Sequence, residues 1–110
     1  LNFFLKEMEI NTKLSLTSSL NLKEKKHLLI KKICEIKNCS SYISSKGSEV
    51  YLKNLSRDKI NFQIVYYDFK NLDYKQIGSK FISHLSSLDL LFNLGKNSKK
   101  YLEKNFNIIS

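Results

Sequence analysis

Residues Ser44-Ser45-Lys46-Gly47-Ser48 bring three hydroxyls, an ammonium and a glycine together between an apolar run and a helix-compatible run. A turn that follows a strand and opens a helix directs backbone N–H groups and a helix N-terminus at an anion. Gly47 allows close backbone approach, the serine hydroxyls donate, and Lys46 supplies positive charge. The chemistry this suits is the holding of phosphate on a small molecule. An ordinary strand-to-helix turn capped by serines fits the same residues, because one glycine in one loop is a weak motif.

Other groups suit chemistry less specifically. Asp68 closes the aromatic run Phe62 to Phe69. A carboxylate at the C-terminal end of a parallel strand is placed for a ligand hydroxyl or an amine, and equally for capping a loop. Asp73, Tyr74 and Gln76 follow in a polar stretch and would line the same cleft, or a solvated surface loop. Asp89 and Asn93 are spaced i, i+4 in a run otherwise made of Leu88, Leu90, Leu91, Phe92 and Leu94. That run reads as a helix buried on most sides, where a carboxylate must be paired or hydrogen-bonded. Asp89 therefore anchors a polar network or faces a site. His84 precedes this helix and is a candidate general base near neutral pH. His27, in a lysine-rich stretch, reads as a surface residue. Cys34 and Cys39 lack the second pair and tighter spacing of a zinc site and the spacing of a redox motif, so no metal is expected and Cys34 reads as core.

These groups need elements to position them. Leu1 to Met8 is helix-compatible. Glu9 to Leu16 alternates, with Leu14 and Leu16 on one parity, and predicts a strand. Asn21 to Lys37 predicts a helix with Leu22, Leu29, Ile33 and Ile36 on its inner face, widened by Ile30 and Cys34, and Asn38 at its end. Ser41 to Ser44 predicts a short strand. Glu49 to Leu55 predicts a helix with Val50, Leu52 and Leu55 inward. Phe62 to Phe69, rich in β-branched and aromatic residues, predicts a strand. Asn71 to Lys80 reads as loop. Ser86 to Leu94 predicts a helix capped by Ser86 or Ser83 and stopped by Gly95. Asn97 to Phe106 predicts a last helix using Tyr101 and Leu102. Alternating strands and helices give an α/β layer fold with a short parallel sheet.

The 110 residues amount to one domain's length, with 42% hydrophobic and 26% charged residues, so the chain can bury a core. No apolar stretch reaches the roughly 20 residues of a membrane span. Two cysteines make no disulfide scaffold, and the expected compartment is the cytoplasm. The net charge of +9 suggests polyanionic partners. Yet 18 of the 19 basic residues are lysine, and alanine, proline and tryptophan are absent. That bias reads as translation of AT-rich DNA. The basic helix reads as solvated, and the aromatics of 62–69 lack a ribonucleoprotein signature, so nucleic acid is not the favoured partner.

Three segments, in order, resemble the C-terminal half of the WbqC-like family, a bacterial family associated with surface-polysaccharide and O-antigen gene clusters. Cys39 through Leu52 looks like the family's strand and glycine-rich turn, roughly "TYLSGxGGxxYL". Tyr66-Tyr67-Asp68-Phe69-Lys70-Asn71-Leu72-Asp73-Tyr74-Lys75-Gln76 is similar to "QDFxHPxYxQ". Phe81 through Gly95 looks like "FIPxLSxIDLLFNxG", the most specific of the three. The resemblance covers about residues 20–103. Ser45 and Ser48 stand where the family tends to have glycine, and Asn71-Leu72 replaces a His-Pro pair.

The resemblance implies a role in bacterial lipopolysaccharide synthesis, as part of a transferase that acts on an activated sugar or attaches a small acyl or aminoacyl (glycyl) group to an amino sugar. Ser44, Ser45, Lys46, Gly47 and Ser48 would hold the phosphate of a nucleotide-sugar, with Tyr74 and Gln76 in the ligand site. Asp68, Asp89 and His84 are the catalytic candidates. No cofactor is evident beyond such a phosphate-bearing ligand. The start at Leu1 and the few strands are read as the C-terminal half of a larger three-layer domain, whose missing half, or self-association, would cover the sheet. A non-catalytic accessory module and a small basic nucleic-acid binder stay open as alternatives.

Overall fold

The computed structural model describes residues 1–57 and 59–109. The helices are α1 (Asn2–Glu7), α2 (Lys26–Ile36), α3 (Glu49–Arg57), α4 (Ser87–Leu94) and α5 (Ser98–Asn105), and the strands are β1 (Ser41–Ser45), β2 (Gln63–Phe69) and β3 (Phe106–Ile109). Short 3-10 turns occupy Thr17–Leu20, Lys46–Ser48 and Gly95–Asn97. The sheet order is β1-β2-β3, with β1 and β2 parallel from Ser41 opposite Gln63 to Ser45 opposite Tyr67. The α/β class is as expected. Among the described residues, no helix is long and apolar enough to cross a membrane.

The chain divides into two compact units, each made of two stretches. The first comprises Leu14–Asp68 and Asn107–Ser110. Its core is Cys34, Leu52, Leu55 and Phe62, all under 7% exposed, with Ile30, Cys39, Tyr42, Ile60, Ile64 and Tyr66 packed against it. The pairs Tyr42–Ile64 and Ser44–Tyr66 share one parity, so this is the sheet face that receives α2 and α3. Ile43, on the other parity, stays about half exposed.

Burial pushes the Cys34 thiol up to about 11, with Cys39 adding to the effect. An unfolded thiol ionises near 8.5, so the unfolded chain loses this proton first. The stabilisation is complete below about 8.5 and is lost as pH rises through about 11. Melting temperatures are expected to fall across that window, and less steeply in Cys34→Ala. Equal slopes in the two proteins would refute the assignment.

The second unit comprises Leu1–Lys13 and Phe69–Phe106. Its buried residues are Met8, Leu90, Leu91, Ser98 and Asn105. The two buried polar side chains are satisfied: Ser98 Oγ donates to the Leu90 carbonyl at 3.3 Å, and Asn105 Nδ2 to the Tyr101 carbonyl at 2.7 Å. Ser86 caps α4 by accepting from the Leu88 N–H at 3.3 Å, and Gly95 ends it at φ 53°, a conformation that suits glycine.

The structure departs from expectation in several places. Glu9 to Leu16 is not a strand, and Leu14 and Leu16 are exposed. Alternation specifies a strand only where an edge receives it, and the third strand is instead β3, which starts at Phe106, read as the end of the last helix, and runs on past it. α2 begins five residues later than Asn21, because Asn21 turns left-handed at φ 49° and Lys25 is extended. Lys25 is thus the N-cap of α2 and Lys26 its first residue, a start whose positive charge the helix dipole does not favour. The buried face of α2 centres on Ile30 and Cys34, leaving Ile36 exposed. Val50 is 75% exposed rather than inward. α4 buries Leu90 and Leu91, while Leu88 and Phe92, spaced i, i+4, form an open face, so this helix is not buried on most sides.

Candidate functional site

The strand-to-helix turn is closed by its own side chains. Ser44 and Ser48 hydroxyls lie 2.6 Å apart, and Ser48 Oγ donates to the Ser45 carbonyl at 2.6 Å. Each hydroxyl has one proton. Ser48 spends its proton on Ser45, so Ser44 donates to Ser48, and neither has a proton left for an anion in this arrangement. The donors that remain are Lys46, the Ser45 hydroxyl and the N–H groups that a helix start leaves without intrahelical partners. Glu49 occupies the first turn of α3, where a carboxylate is favourable.

Gly47 has no left-handed backbone, and a Cβ built on it meets nothing within 4 Å. Folding therefore places no demand for glycine at this position. The open space over its Cα is room for a ligand's close approach.

Asp68 is exposed on β2, one residue beyond the last parallel pair, Ser45–Tyr67. Lys46 is likewise one residue beyond that pair. The turn and Asp68 therefore sit side by side at the carboxyl edge of two parallel strands, in one unit. Two grooves of this unit lie away from that edge. A groove of about 380 Å³ is lined by Glu49, Lys53, Ile60, Ile64 and Tyr66. Another of about 520 Å³, lined by Ser40, Ser41, Ile60, Asn61, Phe62 and Gln63, opens at the amino ends of the strands. Burial, with the Glu49 charge adding, raises the Tyr66 phenol above its ordinary value.

In the other unit, Tyr74, Gln76 and Asp89 are brought together. The Tyr74 hydroxyl donates to Asp89 Oδ2 at 2.5 Å, and Gln76 Nε2 donates to the same oxygen at 3.0 Å. Asn93 Nδ2 donates to Asp89 Oδ1 at 3.1 Å and to the Asp89 carbonyl at 2.8 Å. Asn93 Oδ1 accepts from the Ile77 N–H at 3.1 Å. Gln76 also exchanges two bonds with Ile82, its Nε2 to the carbonyl at 2.9 Å and its Oε1 from the N–H at 2.8 Å. Two side chains of α4 thus hold the start of the 76–82 loop at Gln76 and Ile77, and Gln76 in turn fastens its end at Ile82. Burial, then the hydrogen bond to Asp89, raises the Tyr74 phenol, which holds it as a neutral donor.

The Tyr74 ring meets Phe81 and Tyr101 edge-on at 5.2 and 5.3 Å. The Tyr101 hydroxyl donates to the Leu72 carbonyl. Residues including Phe69, Tyr74, Leu90, Tyr101 and Leu102 line a mostly apolar cavity of about 210 Å³. That is below the roughly 300 Å³ of small-molecule pockets. The cavity and Tyr101's part in it were not visible in the sequence, where Tyr101 reads only as one apolar position of an amphipathic helix.

His84 is exposed at φ 59°, with Nδ1 2.9 Å from the hydroxyl of its neighbour Ser83. Among the described residues, no group of three or more His, Cys, Asp or Glu is placed to hold a metal ion.

No solved structure matches the chain. An uncharacterized protein of Mycobacterium tuberculosis (strain ATCC 25618 / H37Rv), Rv1507c, is 27% identical over 103 residues. The alignment covers 93% of this chain and 45% of that protein, so the chain spans less than half the length of the curated relative it matches. The model of the WbqC-like protein family matches residues 1–101, further toward the first residue than the three motifs reach. It takes in the Lys46 turn, Asp68 and the whole Tyr74–Asp89–Asn93 network, and the chain belongs to the WbqC-like protein family.

Proposed function

We propose that this chain is the ligand-holding part of a protein that acts on an activated sugar in bacterial surface-polysaccharide synthesis, with transfer of a small acyl or aminoacyl group to an amino sugar as the reaction. One observation carries the reading: the parallel register aligns the Lys46 turn with Asp68 at the carboxyl edge of β1 and β2. That edge is where open α/β sheets hold their ligands. In this reading Lys46, the Ser45 hydroxyl and the backbone around Gly47 hold phosphate, and Asp68 orients the acceptor. The Asp89 network keeps the 76–82 loop in place, and His84 is the remaining candidate base.

Nucleotide-sugars are expected to raise the melting temperature of a full-length family member that carries this turn. No shift across a panel of them would defeat the reading. A second reading, a binding module without turnover, is favoured by the self-contained bonds of Ser44 and Ser48. Turnover by this chain alone would eliminate it.

A further inference from the structure

The spacing of Cys34 and Cys39 matches neither a zinc motif nor a redox motif, but the end of α2 gives the pair a geometry of its own. Asn38 is left-handed at φ 49°, its N–H donates to the Glu35 carbonyl at 3.1 Å, and the Cys39 N–H donates to the Cys34 carbonyl at 2.9 Å. This is a Schellman turn, in which the residue after the left-handed position comes back onto the side chain five residues earlier. That contact is usually made by hydrocarbon. Here both partners are free thiols. Cys34 is buried among Leu52, Leu55 and Phe62, and Cys39 is half-buried against the same cluster.

We propose that Cys34 and Cys39 are a reversible oxidation site, closing an intramolecular disulfide across the end of α2 by exchange with a small disulfide such as oxidised glutathione. Cys39 is the more exposed thiol and reacts first. Its thiolate attacks one glutathione sulfur, forms a mixed disulfide and releases one glutathione thiolate. Cys34 then gives up its proton and attacks the Cys39 sulfur, releasing the second glutathione. Two protein thiols become one disulfide, and one glutathione disulfide becomes two glutathiones. The bond fastens α2 to the segment leading into β1, which starts two residues after Cys39 and runs to the Lys46 turn.

The test incubates the folded chain with oxidised glutathione, alkylates with iodoacetamide and measures intact mass. The expected product is lighter than the reduced protein by two hydrogens, carries neither glutathione nor alkyl groups, melts at higher temperature and reverts with dithiothreitol. Cys34→Ala is expected to stop at a glutathione adduct on Cys39, and Cys39→Ser to stay unmodified. Persistent alkylation of both native thiols, a stable glutathione adduct on the wild type, or closure only in urea would overturn the proposal. The wild-type masses decide the matter even if a variant does not fold.

Discussion

Asp89→Ala is expected to lower the unfolding free energy by about 2–3 kcal/mol, the scale of leaving several partly buried donors without an acceptor. Tyr74, Gln76 and Asn93 all donate to this carboxylate. Its removal frees Tyr74 and Gln76 from α4, leaving the Asn93–Ile77 bond as the loop's tie to that helix. Asp89→Asn keeps one acceptor oxygen and should lose less. Urea unfolding measures both, and amide exchange at Ile77 and Ile82 reports the loop directly. A wild-type midpoint in Asp89→Ala would mean the network does not anchor the loop. An Asp89→Asn protein of unchanged stability that abolishes activity in a full-length homologue would make Asp89 a catalytic group and not an anchor.

Leu55→Ala should destabilise by about 2–5 kcal/mol, because the site keeps a cavity that its neighbours fill only in part. Leu55 is 0% exposed and Leu52 1%, at the centre of the α2–α3–sheet core. Total stabilities of about 5–15 kcal/mol make that a large fraction. Val50→Ala, on the same helix at 75% exposure, should stay within about 0.5 kcal/mol of wild type. Denaturant midpoints of the two variants compare them directly, and similar losses would contradict the packing described.

Where local pattern and tertiary demand coincided, the sequence could be read. α4 has its serine cap, its apolar run and its glycine stop within ten residues, and it forms as expected. β2 is recognisable because six of the eight residues 62–69 are β-branched or aromatic, and the turn between β1 and α3 because glycine and serines interrupt two apolar runs. Asn38 marks the end of α2 for the same local reason. The failures are non-local. Residues 9–16 and 106–109 have comparable strand character, and only the free edge of β2 decides which is used. The inner face of α2 shifted by a residue because α3 and the sheet select Ile30 and Cys34 from a helix apolar on more than one side. Asp89 and Asn93 were visible as a helical pair. Tyr74 and Gln76 reach Asp89 from 15 and 13 residues away, a separation that carries no periodic signal. The contact between Cys34 and Cys39 depends on one left-handed asparagine, which spacing rules for cysteine do not consider.

Ligand binding at the carboxyl edge of β1 and β2 is most directly tested by amide chemical shifts of this chain during titration with nucleotide-sugars. Saturable shifts are expected at Lys46, Gly47, Ser48 and Asp68, with affinity weakened about 10–100-fold in Lys46→Ala, the worth of one charge-assisted hydrogen bond. Gly47→Ala should keep the wild-type melting temperature while losing affinity, since its Cβ meets only open space in the free protein. Shifts confined to other residues, or titrations of wild type and Lys46→Ala that superimpose, would contradict a ligand site at this edge.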